Sequence, residues 1–153
     1  MNPALESLAR EVALDEPAHE GLRLAFGVAC AARIRHLLED PLAVAALDLA
    51  VRYVNGQCSR ADFDAAAAGV QAVANSHRGS NSIDGTAHAA VSATYAVARA
   101  LAGRALQAAD YAAYAAVYAY GGYAVNDPSA FTSEHAWQVD TFRALLTTAR
   151  PAS

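Results

Sequence analysis

Few side chains in this sequence are typed and spaced for chemistry. Two histidine–carboxylate pairs have helical spacing, His36 with Glu39 and Asp84 with His88. Helical bundles hold metals through such pairs when matching pairs on facing helices complete the ligand set. Neither pair has a counterpart here, and His19, His77 and His135 stand alone. No metal, no cofactor and no catalytic residue is assigned on this pattern. Asp84 and His88 also open a longer polar stripe with Ser92, Tyr95 and Arg99, which fall within about 80° of one another on a helix. Such a stripe is equipped for acid–base work or for hydrogen bonding between helices, and the second is the commoner use. No Gly-x-Ser-x-Gly elbow or glycine-rich phosphate loop is present, and Arg78 to Ser82 reads as a turn. Cys30 and Cys58 form no close-spaced pair and read as two reduced thiols.

The elements that must position these residues are helices. Alanine makes up more than a quarter of the 153 residues, and every Lys/Arg position is arginine; the alanine content favours helix. In the run from Ala105 to Val125 the only formal charge is Asp110. As a helix it would span roughly 30 Å. Tyr111, Tyr114 and Tyr118 fall on one ridge, and Ala109, Ala112, Ala116 and Ala119 form a smooth strip on another side. A helix that is apolar nearly all round is central in a bundle or crosses a membrane. Alanine and tyrosine carry too little transfer energy for the second. The chain is therefore expected to be all-α: a compact bundle of six to seven mostly antiparallel helices around this Ala/Tyr-rich helix. Residues 1–153 make one helical domain, with 1–16 an N-terminal arm or short helix and 17–150 the bundle.

Pro3 to Leu14 predicts a short amphipathic helix with a Glu6–Arg10 pair on its exposed side, part of a solvated acidic arm. Pro17 to Glu39 predicts one long helix with Leu22, Phe26, Cys30, Ile34 and Leu37 inside. Arg23 lies on its apolar side, and Asp110 is the expected partner. Pro41 to Asn55, stopped by Gly56, predicts a third helix with Asp48 and Arg52 outward and Leu42, Leu47, Leu49, Val51, Tyr53 and Val54 mostly inside. Ser59 is the expected N-cap of a fourth helix, with Asp62 in the capping-box place. That helix buries Phe63, Ala67, Val70 and Ala74 and frays out in a loop from Asn75 to Ser82. A fifth helix runs from about Ser82 to Ala102, and a last one begins at Thr132 or Ser133 and docks by Phe142, Leu145, Leu146 and Ala149.

A formal net charge of -4 argues against nucleic-acid binding, which wants a basic surface, but suits a basic protein partner. The first ten residues lack the charged and apolar regions of a secretion signal, and no run reads as a membrane span, so a cytoplasmic location is expected.

The run Leu24-Ala25-Phe26-Gly27-Val28-Ala29-Cys30-Ala31-Ala32-Arg33-Ile34 carries a resemblance, together with the Asn55-Gly56 stop. Gly85-Thr86-Ala87-His88-Ala89-Ala90 followed by Tyr95-Ala96, and Glu134 with Trp137-Gln138, complete it. In order and spacing these resemble a family of bacterial immunity proteins of polymorphic toxin systems, the fifth such family to be numbered, over about residues 22 to 146. The resemblance implies a non-enzymatic protein that binds and neutralises a cognate toxin. With the net acidity it points to Asp62, Asp64, Asp84, His88 and Glu134, with an exposed Trp137 as anchor, as partner-binding residues. The alternatives are a small metal- or ligand-binding enzyme of DinB-like outline using His88 with Asp84 and either His36 or His77, and a scaffold that self-associates, as a homodimer, through an exposed Ala/Tyr face.

Overall fold

The computed structural model describes residues 1–76 and 86–149. Among these residues every regular element is helical. Seven α-helices follow in order: α1 (Pro3–Glu11), α2 (Glu20–Arg33), α3 (Pro41–Val54), α4 (Arg60–Ser76), α5 (Thr86–Leu101), α6 (Ala105–Tyr118) and α7 (Thr132–Ala149). None of the described helices is long and apolar enough to cross a membrane.

Local chemistry sets three of the helix starts. Asn2 caps α1 by accepting from the Leu5 N–H, and Asp40 caps α3 by accepting from the Leu42 N–H at 2.8 Å, each just ahead of a proline. Ser59 accepts from the Asp62 N–H at 3.1 Å, as its place before α4 predicts. These side chains satisfy first-turn donors that have no partner within the helix.

Centrally, α2, α5 and α6 pack against one another. At Gly27 a Cβ would lie 3.2 Å from Ala100 Cα and 3.6 Å from Ala105 Cα, so the backbones of α2 and α5 meet with almost nothing between them. Two apolar clusters flank this centre. In one, Leu5, Phe26, Cys30, Ile34, Val139 and Phe142 join α1, α2 and α7, with Phe26 and Phe142 edge to face at 5.1 Å. In the other, Leu47, Phe63, Val70, Ala74, Val97 and Leu101 join α3, α4 and α5.

Several expectations are corrected. The helix expected from Pro17 to Glu39 is interrupted by short 3-10 turns at Pro17–His19 and Arg35–Leu37, so its α-helical part is α2. Arg23 does not reach Asp110: its Nη1 donates to the carbonyls of Leu14 at 2.6 Å and Glu16 at 2.8 Å, because the bend after α1 brings those acceptors closer. Asp110 instead lies 3.6 Å from the amino group of Met1. The N-terminal arm is docked, with Leu5, Ala9 and Leu14 buried. Arg10 donates to Ser7 rather than pairing with Glu6. On α3, Asp48 and Arg52 face out as expected, with Asp48 paired to Arg35 across the turn, but Leu42 (65% exposed) and Val54, expected mostly inside, face out as well. Asn75 and Ser76 still belong to α4, and the rest of the expected loop, 77–82, lies outside the described residues, as do Ile83 and Asp84.

The Ala/Tyr run behaves differently on its two sides. Ala105, Ala108, Ala109, Ala112, Ala113 and Ala115 are buried, whereas Tyr111 and Tyr118 are half-buried and Tyr114 is 40% exposed. Of the expected alanine strip, Ala116 is half-buried and Ala119 exposed. Alanine lets neighbouring helices come close enough to exclude water, while a tyrosine ring on the far side extends beyond them. The α-helix ends at Tyr118, short of Val125; Gly121 follows with φ 139, and a 3-10 turn spans Gly122–Asn126.

Candidate functional site

Tyrosines at i, i+3 and i+7 on α6 face the stripe at i, i+4, i+7 and i+11 on α5, because the turn at Gly103 (φ 76) folds α6 back antiparallel to α5. His88 stacks on Tyr118 with centroids 5.3 Å apart, and Tyr95 stacks on Tyr111 at 5.2 Å. The aromatic series continues beyond α5. Tyr118 lies 6.1 Å from Tyr114, Tyr114 meets Phe131 edge-on at 5.3 Å, and Phe131 is 5.6 Å from His135 on α7. Phe131 is held there by a 3-10 turn, Pro128–Phe131, whose start is capped by Asp127 accepting from the Ser129 N–H and hydroxyl. Five rings from three helices and a turn thus form one continuous band, each partly open to solvent. On the separate Tyr95–Tyr111 pair the Arg99 guanidinium sits 5.9 Å over Tyr95, and Arg99 Nε is buried with no hydrogen-bond partner among the described residues.

Charge around the band is mixed. Asp110, one turn before Tyr114, has its carboxyl raised from the usual carboxylate range by burial, against the pull of the nearby Met1 ammonium. His135 is held below the ordinary imidazole range by burial and then by that same ammonium; Asp110 and Glu134 oppose both. Its Nε2 is enclosed without a partner among the described residues.

A second polar feature joins α2 to α7. Arg33 grips Glu134 as a fork, Nε to Oε2 at 2.8 Å and Nη2 to Oε1 at 3.2 Å, and its guanidinium lies 4.4 Å over the Trp137 ring. The hydrogen bond to Glu134 raises the Arg33 pKa further, while burial, helped by the Glu134 charge, pushes the Cys30 thiol up.

The six expected partner-binding residues are distributed over separate places. Asp62 and Asp64 are exposed at the start of α4, where Asp64 accepts from Arg60 at 2.9 Å and the same arginine reaches Glu20 at 2.6 Å. Asp84 lies outside the described residues. His88 is in the aromatic band. Glu134 is buried and paired with Arg33, and Trp137, expected to be exposed, is half-buried beneath the same guanidinium. Sequence reading noticed the tyrosine ridge and the α5 stripe separately. It missed Phe131 and named His135 only as a lone histidine; the one signal for their placement was the Asp127-Pro128 turn ahead of them. Arg33 was also missed, since its partner is 101 positions away.

Among the described residues no group of three His, Cys, Asp or Glu side chains is arranged to hold a metal ion. No known protein family, curated protein or solved structure matches the chain.

Proposed function

We propose that this protein is a non-enzymatic binder of the immunity type, which neutralises a basic toxin domain by covering it with the aromatic band of α5, α6 and α7. The observation that carries this reading is the five-ring series from His88 through Tyr118, Tyr114 and Phe131 to His135. Rings with an apolar body and a polar tip supply large contact area at little entropic cost, and tyrosine is among the residues that dominate interface energies. A basic partner follows from the net charge of -4 and from the cation-attracting faces of the rings. The sequence resemblance supports the same reading. The exposed Asp62 and Asp64 belong to another part of the surface and serve at most long-range attraction.

The test is coexpression with the product of the adjacent gene. The neighbour alone should arrest growth, the pair should grow, and the two proteins should co-purify. Tyr114→Ala and Phe131→Ala should each weaken binding at least about tenfold, the cost of losing an aromatic anchor, without changing the circular dichroism spectrum. A harmless neighbour, or full protection by both variants, overturns the proposal. A concentration-dependent dimer in light scattering that Tyr114→Ala abolishes would assign the band to a second copy of this chain instead.

A further inference from the structure

We infer that the concavity where the end of α2 faces the end of α6 and the start of α7 is a binding site for a small monocarboxylate. It is a half-open space of about 340 Å³ lined by Arg33, Ile34, His36, Ala116, Ala119, Tyr120 and Glu134. That volume is at the small end of ligand pockets. None of its residues belongs to the aromatic band, so this site stands or fails separately from the partner reading.

The recognition chemistry comes from an arginine that is already fixed. Arg33 uses Nε and Nη2 on Glu134 and rests on Trp137, which leaves Nη1 as the guanidinium nitrogen with no acceptor among the described residues. A guanidinium clamped by a carboxylate and an aromatic face loses little freedom when it takes a ligand. His36 and the Tyr120 hydroxyl, also without hydrogen-bond partners among the described residues, add donors at the rim, and Tyr120 is 75% exposed. Ile34, Ala116 and Ala119 supply an apolar wall for a short hydrocarbon tail.

Glu134 sets the ligand class. Arg33 and Glu134 together are neutral, so each further negative charge is opposed by Glu134: a dianion is opposed about twice as strongly as a monoanion, while a neutral amide gains only ordinary hydrogen bonds instead of charge-assisted ones. A single, flat carboxylate fits the remaining edge, made by Nη1 and the second hydrogen of Nη2.

Trp137 is the chain's one tryptophan and lies against Arg33, so its fluorescence reports on the site. The experiment titrates the full chain with sodium butyrate, butyramide and inorganic phosphate at constant ionic strength, followed by fluorescence and by calorimetry. Butyrate should give a saturable response with a roughly millimolar midpoint, as expected for so few atoms, and the other two should give none. Arg33→Lys should raise the midpoint about tenfold by removing the planar fork, and Tyr120→Phe about threefold by removing one hydrogen bond. Should Arg33→Lys unfold, Tyr120→Phe, at an exposed position, decides alone. Absence of saturation by about 50 mM, an equal response to butyramide or phosphate, or unchanged butyrate binding by the folded variants overturns the site.

Discussion

On the side of the bundle where α1 and α7 dock, polar groups are buried and joined across the chain. Gln138 donates to the Ala109 carbonyl on α6 at 2.8 Å and accepts from Asn2 at 3.1 Å, Asn2 also donates to the His135 carbonyl, and Glu134 is held by Arg33. On the side where α3 and α4 dock, the polar contacts lie outside. Arg35 grips Asp48 with a fork as short as that of Arg33, 2.8 and 2.9 Å, yet both side chains are about half exposed, and Arg60 reaches Glu20 and Asp64 in the same open setting. Equal geometry therefore carries unequal weight. A buried bond must be made or a desolvated group is left stranded, whereas water replaces an exposed one at little cost. The α1–α7 side is fixed by specific pairing, and the α3–α4 side by apolar burial around Phe63 and Leu47.

The largest expected effect tests that contrast directly. Arg33→Ala should lower unfolding free energy by about 2–3 kcal/mol, less than the full cost of breaking a buried pair because Arg33 is itself partly exposed. Arg35→Ala should leave the thermal midpoint where it is, and equal losses from the two would erase the distinction. Next, Gln138→Leu should lose about 1–2 kcal/mol in urea denaturation, since it removes two buried hydrogen bonds while keeping apolar volume.

Two helical glycines sharpen the same division. Gly27→Ala should destabilise by about 1 kcal/mol, because backbone contact with α5 outweighs the gain in helix propensity. At Gly69 a Cβ would meet nothing within 4 Å, so Gly69→Ala should stabilise by about 0.5–1 kcal/mol. A stabilising Gly27→Ala would mean that α2 and α5 are less tightly apposed than the geometry requires.

The smallest effect is one of pH. With the folded-state pKa of His135 below the ordinary imidazole value of 6.5, the unfolded chain takes the proton first. Stability is then complete above that value and falls as pH drops through the range just beneath it. The thermal midpoint should hold level above that value and decline as pH drops beneath it, and His135→Phe should flatten that decline. Asp110 has the opposite sign, since its raised pKa makes the folded chain bind the proton first.

Much of the local structure was legible without coordinates. Ser59 before α4, Pro41 and Gly56 around α3, and the helical periods of Leu22, Phe26, Cys30 and Ile34 all follow from capping, backbone and spacing rules. The candidate site was legible only in pieces. His88, Tyr95, Tyr111, Tyr114 and Tyr118 each stood out by spacing, but which stripe met which ridge depends on how α6 folds back on α5.

The sequence by itself determined that this chain is helical and which sides of most helices are apolar, because propensity and periodicity act within a few residues. Only the tertiary structure decided that Arg33 finds Glu134, that Arg23 turns to backbone carbonyls instead of Asp110, and that Trp137 is covered. Those outcomes depend on which segments share a small volume after packing, and a charge's nearest partner in space has no fixed distance along the chain.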